Sequence, residues 1–302
     1  MKDVYNAINQ ANEQSSTQKR YTKEEYSQMM KEKRQHLFTL ANEQTMNAVS
    51  DPKLFLQYLD LQSKLDYTVT NTLLVMAQKP DATMLKDFSH WKELNHYIVK
   101  GSKGIEILEP GNEYTKKDGT IGISYNPKKV FDVSEIKGKI VPTDKKEYEV
   151  SELVSAIIYR TEIHPEVVRP DSTLPQDVFF DENSSKVYVK HGLNPTDMIN
   201  GLLREYCYAE CFQLGIHRQD AVFIAESAGY VLSKEYGVDG YDSSFANGCA
   251  EHFLDREVPE VKKELESIKE VRDQVSDRMQ RGLYTLQQNK QEKQKNEKDV
   301  AR

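Results

Sequence analysis

The sequence predicts an α+β protein, with a helix and antiparallel-sheet half followed by a mainly helical half that carries a small sheet. Over residues 97–133, short β-branched and aromatic runs alternate with Gly-, Lys- and Asp-rich turns, the pattern of a meandering sheet. From Asn194 onward apolar residues recur at helical spacing between cap and stop signals. With 302 residues the chain is long enough for two domains and appendages. The expected division is a mobile arm over 1–20, a first domain over 21–140, a second over 141–257, and a charged helix with a disordered tail over 258–302.

Each element has its own signal. Residues 1–20 are rich in Gln, Asn and Ser with a weak apolar period, which reads as an arm or a frayed helix. Tyr26, Met29, Met30, Leu37, Leu40 and Ala41 fall near helical spacing. Asp51-Pro52 starts the next helix, Asp51 as the cap and Pro52 in the first turn. Residues 67–77 are apolar enough for a short buried helix, and Lys79-Pro80-Asp81 breaks the chain after it. Trp91 is the single tryptophan. Residues 97–99 and 105–108 read as two strands joined by Lys100-Gly101-Ser102-Lys103-Gly104, with Glu109-Pro110 ending the second. Residues 121–125 and 129–133 continue the sheet beyond the turn Lys116-Lys117-Asp118-Gly119, and the charged stretch 136–149 supplies the boundary.

In the second half, 150–159 read as a helix, and 178–181 with 187–189 as a strand pair. Two helices follow. Asn194 caps the first, Pro195 opens it and Gly215 stops it; Asp220 caps the second and Gly237 closes it. Val261, Leu265, Ile268, Val271 and Val275 form one stripe of a helix over 258–282. Beyond it, residues 287–302 have no apolar face and are expected to be disordered.

Charge excludes one class of function and localises another. The chain carries a net charge of −7, yet residues 1–150 hold 22 Lys and Arg against 21 Asp and Glu, so the negative excess lies in the second half. A uniformly basic nucleic-acid binder is excluded, and any nucleic-acid contact belongs to a local patch of the first half. No run approaches the length of a membrane span, which implies a cytoplasmic protein without a membrane partner. Three cysteines are no disulfide framework.

The segment Arg204-Glu205-Tyr206-Cys207-Tyr208 reads as a zinc-peptidase helix without its metal ligands. In H-E-x-x-H, two imidazoles four residues apart share one helix face and hold Zn²⁺, while the Glu acts on the bound water. Arg204 and Tyr208 stand at the two His positions, and a guanidinium has no lone pair for a metal. Glu226, one helix later, reads as a half-buried acid with Arg204 as its partner. Cys207 and Cys211 lack a second ligand pair, so core packing outranks thiolate ligation. None of the seven histidines has a partner four residues away. No metal or other cofactor is expected.

In the first half, Lys100 and Lys103 supply charge, Gly101 and Gly104 let backbone approach phosphate, and Trp91, Tyr97 and Tyr67 offer rings for stacking. Asn71 joins them as a candidate DNA contact. The bland alternative is a lysine-rich hairpin beside a core tryptophan.

These residues also carry a family resemblance. Tyr67-Thr68-Val69-Thr70-Asn71-Thr72-Leu73-Leu74, Gln78-Lys79-Pro80-Asp81-Ala82-Thr83, Trp91, Val99 through Ile105, and Pro110 together resemble the N-terminal domain of ArdC-type antirestriction proteins. Lys129-Val130-Phe131-Asp132 is similar to the strand that follows in LtrC-like members from conjugative elements. The resemblance covers roughly residues 55–135 and implies single-stranded DNA binding. The second half resembles that family's zincin-like metallopeptidase domain, in which Glu226 falls at the third-ligand position. The loss of both histidines means that peptide hydrolysis does not carry over. The expectation is therefore a mobile-element protein that protects DNA during conjugation or phage entry, with a catalytically silent second domain. Its partners would be single-stranded DNA and, secondarily, a host restriction or element transfer protein. Two alternatives stay open: a metallopeptidase with unorthodox ligands, and an interaction module whose acidic half occludes a host DNA-binding protein.

Overall fold

A computed structural model describes residues 21–116, 118–138 and 147–300. The expected arm over 1–20 lies outside the described residues. The architecture is α+β and predominantly helical, with three small sheets among the described residues. No helix of the described residues is long and apolar enough to cross a membrane.

The first element of the described residues is a long helix, α1 (Lys23–Val49). Helix α2 (Pro52–Lys64) starts where Asp51 accepts from the Lys53 and Leu54 N–H groups, and α3 (Val69–Gln78) where Thr68 accepts from Asn71 N–H. After β1 (Leu85–Asp87), the Asp87 carboxylate caps α4 (Phe88–Glu93). Strands β2 (Tyr97–Ile98), β3 (Ile105–Thr115), β4 (Ile121–Asp132) and β5 (Ile136–Lys137) follow. The first sheet has the order β1-β4-β3.

Two expectations about this region change. Residues 97–98 do not form a hairpin with β3; they pair antiparallel with β5, placing Tyr97 opposite Lys137. The Lys100–Gly104 segment is consequently a loop between two sheets, turned by Gly101 at φ +95°. Nor does Pro110 end β3, which continues to Thr115 in a pairing that only β4 flanks. An edge strand tolerates a residue without an N–H.

The second half begins with α5 (Val150–Ile157), then β6 (Pro165–Val168), β7 (Val178–Asp181) and β8 (Lys186–Lys190). Strands β7 and β8 pair antiparallel, and β6 adds to β8 in parallel, a pairing too distant in sequence for pattern reading to reveal. Next come α6 (Pro195–Gln213), capped by Asn194, and α7 (Arg218–Glu235). Asp220 lies inside α7 and does not cap it; the Glu182 carboxylate accepts from Arg218 N–H instead. A four-residue helix, α8 (Cys249–His252), leads to α9 (Val258–Val300). The disorder expected over 287–302 is not what the backbone adopts up to Val300. Gln, Lys and Glu are strong helix formers, and they propagate a helix already nucleated by its buried stripe.

The described residues divide into two compact units: residues 21–39 with those of Leu108–Lys128, and Leu40–Ile107 with the described residues from Lys129 on. Within the second unit, one apolar core crosses the boundary expected at residue 140. It includes Phe55 and Leu59 of α2, Leu73 of α3, Phe180 of β7, Tyr206 of α6, Phe223 of α7, and Val261 to Met279 of α9. Phe55 and Phe223 sit 4.9 Å apart, and Tyr230 donates to Asp60 at 2.9 Å. Helices as short as α2 and α3 cannot bury their apolar faces alone, so they share the core of the later helices.

Candidate functional site

Gly229 leaves room for helices α6 and α7 to cross closely, and Gly201 of α6 leaves room for β7. A Cβ at Gly201 would fall 2.6 Å from Val178 Cγ2, and one at Gly229 would fall 3.2 Å from Arg204 Cα and against the Tyr241 hydroxyl. This crossing lines a cleft of about 660 Å³ with Arg204, Glu226, Asn200, Asp197, Tyr241 and Asp242 among its walls.

Arg204 and Glu226 line it, and Glu205 and Tyr208 adjoin them without lining it. Glu205 has 0 % exposure and is fully engaged. Its Oε1 accepts from Arg204 Nε at 2.9 Å, and its Oε2 accepts from Phe180 N–H at 2.7 Å and from Arg218 Nη2. Arg218, the first residue of α7, stacks its guanidinium 3.8 Å above the Tyr208 ring and donates to Phe180 O at 3.0 Å. Arg204 Nε also lies 3.9 Å from Glu226 Oε1, and its Nη2 donates to Val178 O at 3.2 Å. Tyr241 donates to Glu226 Oε2 at 3.1 Å.

The electrostatics follow from burial. Burial pushes the Glu226 carboxyl up, against the pull of Arg204 and the Tyr241 hydrogen bond. For Arg204, burial works against the charge, but the nearby carboxylates of Glu205 and Glu226 outweigh it and hold the guanidinium protonated. Burial raises the Tyr208 phenol, with Glu226 adding to the shift. Cys207 and Cys211 are buried thiols; burial pushes Cys207 well above its ordinary value and Cys211 up to about 12. Neither is poised as a thiolate ligand.

Glu205 is closed off from solvent and its carboxylate is held by two guanidinium groups and a backbone N–H, an arrangement that keeps it from meeting and activating a water. The arrangement is an internal ion-pair network of two arginines and two glutamates. Sequence reading identified Arg204 and Glu226 but missed Arg218 and Tyr241. The only available signal was that a buried Glu205 needs a compensating cation; nothing in the spacing says that the first residue of the next helix supplies it.

In the first half, the candidate DNA contacts separate. Lys100 and Lys103 are exposed, and Gly104 packs so closely that a Cβ would fall 2.7 Å from Phe131 Cε1. Trp91 is 1 % exposed and donates from Nε1 to Phe131 O at 2.9 Å, so it is a core residue unavailable for stacking on a base. Asn71 is buried, and Tyr67 is half-buried against the core. Tyr97, by contrast, is 66 % exposed. Acidic residues here turn inward as caps: Asp132 accepts from the Thr83, Met84 and Ser134 N–H groups, and Glu135 from Asp132 N–H. Lys100, Lys103, Lys129 and Lys137 remain exposed, with no carboxylate at ion-pair distance among the described residues.

No protein-family model matches the chain, and no curated protein matches it. Solved structures do. The metal-free crystal structure of the antirestriction ArdC protein from R388 plasmid aligns at TM-score 0.50 and 16% identity, covering 71% of this chain and 86% of that one. Its Mn(II)-bound crystal structure gives 0.49 and 15%, covering 70% and 85%. In the present chain a guanidinium and an arginine-stacked phenol occupy the helix face, and no three His, Cys, Asp or Glu side chains gather to hold a metal among the described residues. By fold, the chain is ArdC-like.

Proposed function

We propose that this chain is a cytoplasmic antirestriction-type protein of a mobile genetic element that binds single-stranded DNA, and that its second half is a zincin-like scaffold without metal chemistry. The observation that carries the reading is the ArdC-like fold, which covers 86% of the R388 plasmid's antirestriction protein. Charge and exposure support the DNA contact: Lys100 and Lys103 flank a glycine-turned loop, and Lys137 stands opposite the exposed ring of Tyr97. Tyr97 takes the stacking role expected of Trp91. The Arg204–Glu205–Arg218 network supports catalytic silence.

The test is a titration of the full chain with a labelled oligothymidylate at two salt concentrations, beside metal analysis after loading with Zn²⁺ or Mn²⁺. Salt-sensitive binding and no stoichiometric metal are expected. One retained metal per chain with chelator-sensitive proteolysis would overturn the silent-scaffold reading; absence of salt-dependent single-strand binding would overturn the DNA reading.

A further inference from the structure

The first unit carries a groove of about 730 Å³ between α1 and the outer parts of β3 and β4. Its charged lining is cationic: Arg34 and Lys116 face it, and no carboxylate does among the described residues. Of the carboxylates nearby in sequence, Glu113 is exposed but does not line the groove, and two others are occupied elsewhere. Glu109 pairs with Lys128 at 2.6 Å, and Asp118 accepts from the Thr120 hydroxyl at 2.7 Å.

Aromatic rings form much of the remainder. Tyr114 is 52 % exposed and Phe38 38 %, unusual exposure for groups that are normally buried. Their placement is built. A Cβ at position 122 would fall 2.9 Å from Tyr114 Cζ, so Gly122 makes the space in which that ring lies. Phe38 meets Tyr125 edge to face at 5.9 Å, which fixes both rings. Arg34 donates one N–H to Tyr125 O at 3.3 Å, leaving further guanidinium donors for a ligand. Ile121 and Ile123 alternate with Tyr125 on one face of β4 and stand open to water.

We propose that this groove holds a single-stranded nucleic acid, its bases stacked on Tyr114 and Phe38 and its phosphates at Arg34 and Lys116. The inference rests on the DNA-binding reading above and deepens it, because it assigns base stacking to a surface that the loop at Lys100–Gly104 does not include. Cations without carboxylates complement a polyanion, while exposed rings match unpaired bases, whose faces a duplex keeps stacked.

The experiment uses the full chain and a fluorescein-labelled oligothymidylate. Tyr114→Ala should weaken binding by about 5- to 100-fold with an unchanged salt slope, as loss of a stacking ring does. Lys116→Gln should lower the magnitude of the slope by about 0.7. On the native protein, an oligonucleotide bearing a photoreactive base should crosslink to Phe38, Tyr114 or Tyr125, a readout that needs no variant to fold. If the native chain binds the oligonucleotide, but both variants bind equally well and crosslinks fall only on residues 97–103, the groove inference is overturned while the DNA reading stands. Failure of the native chain to bind overturns both. A changed sedimentation coefficient for Tyr114→Ala, or lost retention on anionic vesicles, with unaltered DNA affinity would assign the groove to a second copy or to lipid and overturn the inference too.

Discussion

At the scale of single residues, the proposed silent scaffold predicts that metal binding can be built in only in steps. Arg204→His with Tyr208→His would place two imidazoles on one helix face beside Glu226, a plausible three-ligand set. Arg218 would remain, its charge now 3.8 Å from the centre of the replaced ring. A cation so close opposes a divalent ion, so we expect weak zinc binding by the double variant and clearly tighter binding once Arg218→Met is added. Calorimetric titration checks the order; equal affinities would mean that Arg218 does not guard the site. Glu226 gives a second prediction. Its pKa is raised on folding, so the native state binds the extra proton between the unfolded and folded values, and the associated stability, full below the unfolded value, is lost as pH rises through the folded one. Glu226→Gln should therefore melt like the native protein near pH 4 and at a higher temperature near pH 8. A lower melting temperature at pH 8 would show that the pairing with Arg204 outweighs the burial of the charge.

At the scale of elements, close helix crossings depend on the absence of side chains. Gly282 of α9 lies where a Cβ would be 3.0 Å from Ala156 Cα and 2.9 Å from Tyr159 Cβ, the former backbone that cannot swing aside. Gly282→Ala should destabilise the chain by about 1 to 3 kcal/mol, the usual cost of overpacking, although alanine is the better helix former. Urea unfolding measures this, and a stabilising effect would show that α5 yields. The sequence made α9 legible up to this glycine, since Val261 through Val275 repeat at one helical face, and it made α2 and α6 legible through Asp51-Pro52 and Asn194-Pro195. It misled at β2, because a strand of two residues can satisfy its backbone with any edge in reach, and the partner at Ile136–Lys137 is specified by tertiary packing alone. The start of α7 was displaced for a similar reason: its capping acceptor is Glu182, remote in sequence.

For the whole molecule, the sequence carried the α+β class and the converging Arg204 and Glu226, but not the shared core, whose burial of Phe55 against Phe223 depends on a long-range packing that no periodicity encodes. Trp91 illustrates the limit for the DNA surface: ring chemistry suggested stacking, and only burial reveals that its indole serves Phe131 O. The global charge then constrains how the protein can bind DNA. At −7 the molecule as a whole repels a polyanion, so attraction must come from the few unpaired cations of local patches. If Lys100, Lys103, Lys129 and Lys137 each touch a phosphate, the second unit contributes a salt slope of magnitude about 3, far below that of a strongly basic binder. Lys100→Ala with Lys103→Ala should remove about 1.4 of it, whereas Tyr97→Ala should cost about 1 to 3 kcal/mol with the slope retained. Fluorescence titrations from 50 to 300 mM salt separate these outcomes (about a sixfold range, sufficient to resolve a change of one contact). Should the double lysine variant keep the full slope, the phosphates lie elsewhere on the molecule, and the loop at Lys100–Gly104 would be a structural turn between two sheets.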